Sequence, residues 1–191
     1  MGRAQAEHAA ASLLSHLATQ EDAQVGVLRS MVSLLSEHAG KERVVLAVLK
    51  TLNHVFNNDG LSSCSEPQLW KELLQQIKKQ VTQSKKINKV QAGVQAMVGL
   101  LGIEAAADAV RSTALAFTVQ NSLGHAYPRV RAVAADALYN ALLVDDSILE
   151  DDEKSEEVQE ILLESPWESD LPELEEPRKK LEILLGLRPA E

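Results

Sequence analysis

Histidine and cysteine are the side chains most often used for metal binding and nucleophilic catalysis, and this chain of 191 residues has five histidines and one cysteine. No histidine stands in a His-Glu-x-x-His spacing, and no glycine-rich phosphate loop or Gly-x-Ser-x-Gly elbow occurs. The cysteine, Cys64, lies in a serine-rich stretch without a base nearby. The sequence therefore predicts no catalytic residue, no metal site and no bound cofactor. The histidines, predicted to face solvent or to cap helices, are His8, His16, His38, His54 and His125.

A cluster of lysines is the charged feature whose spacing points to binding. It comprises Lys78, Lys79, Lys85, Lys86 and Lys89. These residues flank a predicted turn between two helices, with Ser84 as the N-cap of the second helix. Lysines near a helix C-terminus also complement its dipole, which is a purely structural explanation. The functional alternative is a docking patch for an acidic protein partner. Nucleic acid is disfavoured because aromatic side chains are not interleaved and the net charge is −9.

Amphipathic helices must position this cluster. Apolar residues recur at helical spacing in segments that begin near Arg43, Lys86 and Pro128, which are 43 and then 42 residues apart. Another amphipathic segment precedes each of them. The pattern predicts helix pairs at 24–57, 67–101 and 104–144, with a partial pair at 155–187. A period of about 40–47 residues is typical of HEAT repeats. An irregular helical bundle is the alternative.

The fold class predicted from these patterns is all-α, as a HEAT/armadillo-type α-solenoid of about three to four helix pairs. Aromatic residues make up only 3% of the chain, and no sustained period-2 alternation or hairpin signal occurs. The expected organisation is an N-terminal helix at 1–20 forming the edge of a longer array, helical repeats over 21–144, an acidic loop at 145–154 and a C-terminal helix pair at 155–191. In the last repeat, Val133 and Leu138 are expected to be buried.

Negative charge is concentrated near the C-terminus. Residues 145–176 contain fifteen Asp or Glu and one Lys, a net charge of −14, whereas residues 1–144 carry +3. Such density predicts a solvated loop between helices, and a partner-binding acidic arm is the alternative. Trp167 follows the densest acidic stretch and is expected to anchor the last helix pair to the body. That last helix is expected to begin at Pro177 and to end at Gly186.

The apolar runs, the N-terminal sequence and the cysteine content together predict the cellular compartment. The apolar run Val44–Leu49 is six residues long, far short of a membrane span, and the N-terminus lacks the profile of a signal peptide. A single cysteine fits a reducing compartment. The prediction is a cytoplasmic protein.

Several stretches, taken in order, resemble the C-terminal part of the tubulin-folding cofactor D family. They are Val48–Val55 ahead of Asn57-Asn58-Asp59-Gly60, the lysine-rich junction from Lys78 to Lys89, Tyr127–Arg131 followed by Leu138–Leu143, and Pro166–Glu168 leading to Leu184–Leu187. The resemblance runs from about residue 20 to residue 188. Members of that family are several times longer, and the acidic run at 150–153 and the prolines at 172 and 177 depart from its pattern.

The resemblance implies a non-catalytic scaffold of post-chaperonin tubulin folding that captures β-tubulin. It implies work with tubulin-folding cofactors C and E and an Arf-like small GTPase on the αβ-tubulin heterodimer, and association with the microtubule cytoskeleton. Stimulated GTP hydrolysis by tubulin belongs to that complex, and neither nucleic acid nor membrane is an expected partner. Tubulin is acidic, with Glu-rich tails, so the five lysines are the predicted contact. The alternative function is a generic HEAT-repeat adaptor for an unrelated protein.

Overall fold

The computed structural model describes residues 21–58, 60–149 and 151–187, so the helix expected at 1–20 lies outside the described residues. Within the described ranges the chain is helical and has no strand, which confirms the all-α prediction. The α-helices there are α1 (Glu21–Glu37), α2 (Glu42–Phe56), α3 (Pro67–Gln83), α4 (Ile87–Gly99), α5 (Asp108–Phe117), α6 (Pro128–Val144), α7 (Asp152–Glu164) and α8 (Glu175–Leu184). The predicted helix starts near 43, 86 and 128 each fall within one residue of the observed ones.

The helices α2, α4 and α6 form one row of parallel neighbours. Gly93 in the middle of α4 faces Leu49 in the middle of α2, and Gly99 at the end of α4 faces Phe56 at the end of α2. Near the start of α4, Gln91 Nε2 donates to the Arg129 carbonyl of α6 over 3.2 Å. Contacts that run start to start and end to end require the three helices to point the same way.

The helices α1, α3 and α5 form a second row behind the first. Near the ends of α1 and α3, buried Gln80 Nε2 donates to the Leu35 carbonyl over 3.3 Å. At the opposite end of α1, the backbone N–H of Ser63 donates to Gln24 Oε1 over 3.0 Å. One bond joins the start of α1 to the turn just before α3, and the other joins the ends of the two helices, so α1 and α3 are also parallel. Each helix pair therefore contributes one helix to each row.

An apolar core lies between the rows. Trp70 at the start of α3 is fully buried, lies 6.2 Å from the Phe56 ring between centroids, and donates its indole N–H to the Cys64 carbonyl over 2.8 Å. That bond satisfies the polar atom of the indole and makes complete burial possible. Leu138 is also fully buried as expected, but Val133 is only partly buried, which corrects the predicted register of that residue.

The fourth pair departs from the two-row pattern. Helix α7 packs against α6, and α8 packs against a five-residue π-helical segment, Thr118–Ser122, that continues α5. Helix α7, the first helix of this pair, therefore lies beside the row of α2, α4 and α6, which are the second helices of the regular pairs. The pair closes the end of the body instead of extending it as a further regular repeat.

Several predicted boundaries need correction. The segment at 145–154 is not wholly a loop, because a 3-10 turn forms at Asp146–Ile148 and α7 begins at Asp152, where the Asp151 carboxylate accepts from Lys154 N–H over 3.1 Å. Acidic residues are stable at a helix N-terminus because they complement its dipole. Helix α4 begins at Ile87, with Ser84 Oγ accepting from Lys86 N–H.

The last helix begins earlier than expected and ends where expected. A 3-10 turn at Leu171–Leu174 leads into α8 at Glu175, so Pro177 stands inside its first turn, where a missing N–H costs nothing. Gly186 has a φ of 66°, and the N–H of Leu187 donates back to the Glu182 carbonyl over 2.8 Å. That left-handed residue closes the helix as its glycine predicted.

Candidate functional site

The turns within the three regular pairs lie along one edge of the body, which we call the turn edge. It is formed by residues 38–41, 84–86 and 123–127 together with the helix ends that they join. Because α2, α4 and α6 are parallel, all three begin at this edge. Their N-termini contribute positive partial charge there, and the C-termini of α1 and α3 contribute negative partial charge at the same edge.

The structure divides the five predicted lysines into three kinds. Lys79, Lys85 and Lys86 are exposed at the turn edge, and Lys78 is partly buried with its ammonium 5.4 Å from the centre of the Phe117 ring. Lys89 is only 8% exposed, so its predicted place in a solvated patch is wrong. Burial lowers the pKa of Lys89, and the charge of Glu42 on α2 partly opposes that change. Lys89 belongs to the interface between α2 and α4.

Three cations that the sequence reasoning missed lie at the same edge. Lys41 precedes α2, Arg43 lies in its first turn and Arg129 lies in the first turn of α6, all exposed. The 43-residue period carried the signal for two of them, because Arg43, Lys86 and Arg129 follow one another at intervals of 43 residues. Glu37 and Glu42 are acidic residues of the same edge. We call the exposed set the basic edge: Lys41, Arg43, Lys79, Lys85, Lys86 and Arg129.

The opposite edge holds a groove of about 880 Å³, which we call the loop-edge groove. The C-terminal ends of α2, α4 and α6 surround it, with Phe56, Val98 and Ala141 among its apolar residues. Glu104 and Asp145 contribute carboxylates. Among the described residues that line it, none is Lys, Arg or His. The two edges of the body therefore differ in the sign of their charge.

Arg131 joins the body to the fourth pair. It is 2% exposed, and its guanidinium donates to the Trp167 carbonyl over 2.9 Å, to the His125 carbonyl over 2.6 Å and to the carbonyls of Ala126 and Ser169. Trp167 is itself buried and donates its indole N–H to the Leu162 carbonyl over 2.8 Å. Trp167 is buried as predicted, but its bond to the body is made by its backbone carbonyl, whereas its indole N–H bonds within the last pair. Arg131 is buried between the body and the fourth pair, so it does not belong to the basic edge. We call this set of hydrogen bonds the Arg131 clamp.

The described residues contain no cluster of three or more His, Cys, Asp or Glu side chains that could hold a metal ion. Cys64 is buried, and burial raises the pKa of its thiol, which opposes thiolate formation. His125 Nδ1 accepts the Tyr127 N–H over 3.1 Å and is partly buried beside Arg131. No helix in the described part of the chain has the length and apolar character needed to span a bilayer.

The described residues therefore form two rows of parallel helices with a basic edge on one side and a groove on the other. Residues 4–89 match the family model described as tubulin folding cofactor D C terminal. This match supports the resemblance to the C-terminal part of cofactor D over residues 4–89. The similar stretches at 127–143 and 166–187 lie beyond the matched range. No solved structure matches the chain.

Proposed function

We propose that this protein is a non-catalytic scaffold that acts in tubulin folding and contacts β-tubulin through its basic edge. The match of residues 4–89 to the cofactor D family model carries this proposal. Its architecture is that of a HEAT-type solenoid, in which helix pairs of about 42 residues stack through their rows. The proposed place of action is the cytoplasm, with microtubule association.

The finer assignment follows the family resemblance. We place the chain in post-chaperonin assembly and disassembly of the αβ-tubulin heterodimer, together with cofactors C and E and an Arf-like small GTPase. GTPase activation toward tubulin is a property of that multi-protein complex, so no residue of this chain is assigned a catalytic role. The regular body at 21–144 and the closing pair after it are its two proposed structural units.

Charge supports the basic edge as the contact. Lys79, Lys85 and Lys86 are exposed, and Lys41, Arg43 and Arg129 add to the positive charge of the same edge. Exposed charges of this kind act mainly by steering encounter, and salt screens them beyond about 10 Å at 0.1 M ionic strength. An acidic partner surface such as a Glu-rich tubulin tail is the complementary ligand.

The test compares two triple charge reversals. Lys79→Glu, Lys85→Glu and Lys86→Glu alter the basic edge, whereas Arg29→Glu, Lys50→Glu and Lys71→Glu make the same charge change at exposed positions elsewhere. Binding to purified tubulin is followed by surface plasmon resonance at several salt concentrations. The edge variant should associate roughly tenfold more slowly at low salt, with a weaker salt dependence.

Thermal unfolding serves as the folding control, and both variants should melt close to the parent because the six side chains are exposed. Equal slowing by the two variants would show that net charge matters and that the edge does not. Unchanged association by the edge variant would remove the basic edge as the contact. Failure of the parent to bind tubulin would contradict the proposal as a whole.

A further inference from the structure

The loop-edge groove has three features that together indicate a ligand class. Its volume of about 880 Å³ lies within the range of ordinary binding clefts. Apolar surface reaches solvent at its rim, where Val144 is 88% exposed. Exposed aliphatic side chains beside a cleft are typical of protein-interaction sites.

The charged side chains among the described residues that line the groove are both carboxylates. The Glu104 side chain is exposed, and Asp145 Oδ1 accepts from the N–H and Oγ of Ser147 over 3.0 and 2.6 Å, which orients that carboxylate. The C-terminal ends of α2, α4 and α6 add the negative ends of three helix dipoles. Since the described lining residues contain no cationic side chain, this charge is uncompensated within the groove.

Polar amides complete the lining. Asn53, Gln95 and Asn140 come from three successive helices of the same row. Asn140 Nδ2 donates to the Asp136 carbonyl over 2.7 Å, which leaves its Oδ1 as an acceptor. Amide oxygens at a groove wall are suited to receive the backbone N–H groups of an extended chain.

We propose that the loop-edge groove binds an extended segment of a partner protein in which Lys or Arg stands beside an aliphatic residue. The cation pairs with Glu104 and Asp145, and the aliphatic side chain covers Val144. An acidic segment is excluded by repulsion from these carboxylates. This site is separate from the basic edge and selects the opposite charge, so it does not rest on tubulin binding.

The probe is a short fluorescein-labelled peptide of Ser-Arg-Leu-Gly repeats, with binding to the full chain followed by fluorescence anisotropy. Two companion peptides replace Leu by Ser or Arg by Glu. The groove variant is Glu104→Lys with Val144→Ser. The control variant is Glu156→Lys with Leu163→Ser, which makes the same changes on exposed residues of α7.

The groove variant should weaken binding of the Arg-Leu peptide about tenfold, because it removes an ion pair and an apolar contact. The control variant should change the dissociation constant less than twofold, and each companion peptide should bind the parent more weakly than the Arg-Leu peptide. A further variant, Gly102→Phe, occupies the groove without altering charge and should also weaken binding. Circular dichroism confirms that each variant is folded.

Three results would overturn the proposal. Equal loss in the groove and control variants would assign binding to the diffuse acidity of the C-terminal part. Equal affinity for the Arg-Leu and Arg-Ser peptides would show that Val144 and its apolar neighbours play no part. Undiminished binding by Gly102→Phe would place the peptide outside the groove.

Discussion

The regular body, α1–α6, and the closing pair, α7–α8, are held in place by different interactions. In the body, buried Leu, Val and Ala side chains interlock within and between two rows of parallel helices. The closing pair is joined to that body through the buried Arg131 clamp and through Arg178, which crosses Gly124 and donates to the Gln120 carbonyl over 3.2 Å. Between α7 and α8, Lys180 pairs with Glu157 over 2.7 Å.

Charge explains this contrast. Residues 145–176 carry a net charge of −14 and must keep most of these carboxylates in water. Fewer positions then remain for an apolar face, so hydrogen bonds at defined points add to the apolar burial that attaches α7 and α8. The buried apolar residues of the closing pair are Val158, Ile161, Leu162, Trp167, Leu174 and Leu181. Apolar burial is non-directional and repeats wherever the apolar pattern repeats, whereas a hydrogen-bonded clamp works at one place only.

The largest expected effect is truncation of the body core. Leu138→Ala should lower the free energy of unfolding by about 2–5 kcal/mol, since Leu138 is fully buried and a cavity remains. Leu163→Ala on α7 is the matched control, because this side chain is 66% exposed and should cost less than about 0.5 kcal/mol. Urea unfolding measures both. Similar costs at the two sites would show that Leu138 is not part of a tightly packed core.

The second-largest effect is expected from removal of the Arg131 side chain. Arg131→Ala leaves buried carbonyls without their donor and should cost about 1–3 kcal/mol. The loss should be local, with faster hydrogen exchange and proteolysis in α7 and α8 and little change in α2 and α4. Arg131→Lys keeps the charge but not the planar fork, so its exchange rates should fall between those of Arg131→Ala and the parent. Uniformly faster exchange across the body would show that the clamp does not act locally.

Two glycine substitutions test how tightly the body is packed. A Cβ at Gly93 would lie 2.6 Å from Val81 Cγ2, so Gly93→Ala should destabilise by about 1 kcal/mol even after its gain in helix propensity. At Gly26 on α1 no atom lies within 4 Å of that position, and Gly26→Ala should stabilise by about 0.5–1 kcal/mol. Melting temperatures that shift in the same direction would contradict the close approach at Gly93.

The smallest expected effect is a pH dependence at the joint. Burial lowers the pKa of His125 below its usual 6.5, and the charge of Arg131 lowers it further. The native state therefore holds fewer protons on this residue than the unfolded chain, so its contribution to stability is present above pH 6.5 and declines as the pH falls through the native pKa. His125→Asn keeps an acceptor for the Tyr127 N–H without titrating. Urea midpoints from pH 7.5 to 5 should fall less in this variant.

Much of the fold was predictable from the sequence because apolar spacing reports helices directly. The 42–43-residue period placed the starts of α2, α4 and α6, and Trp167 was predicted as an anchor from its position after the acidic stretch. The positions at which individual helices begin were less predictable. The Asp151 cap that starts α7 early and the 3-10 turn that moves the start of α8 to Glu175 depend on local hydrogen bonds that compete with the apolar pattern.

The sequence by itself determined that the chain is helical, that its helices come in pairs and that positive and negative charge are separated along it. Only the tertiary structure decided which charges reach solvent together. Lys89 lies four residues or fewer from Lys85 and Lys86, yet it is buried between α2 and α4, while Lys41 and Arg129 from distant repeats join the basic edge. The physical reason is that neighbours along one helix point in different directions, whereas equivalent positions of parallel helices point the same way.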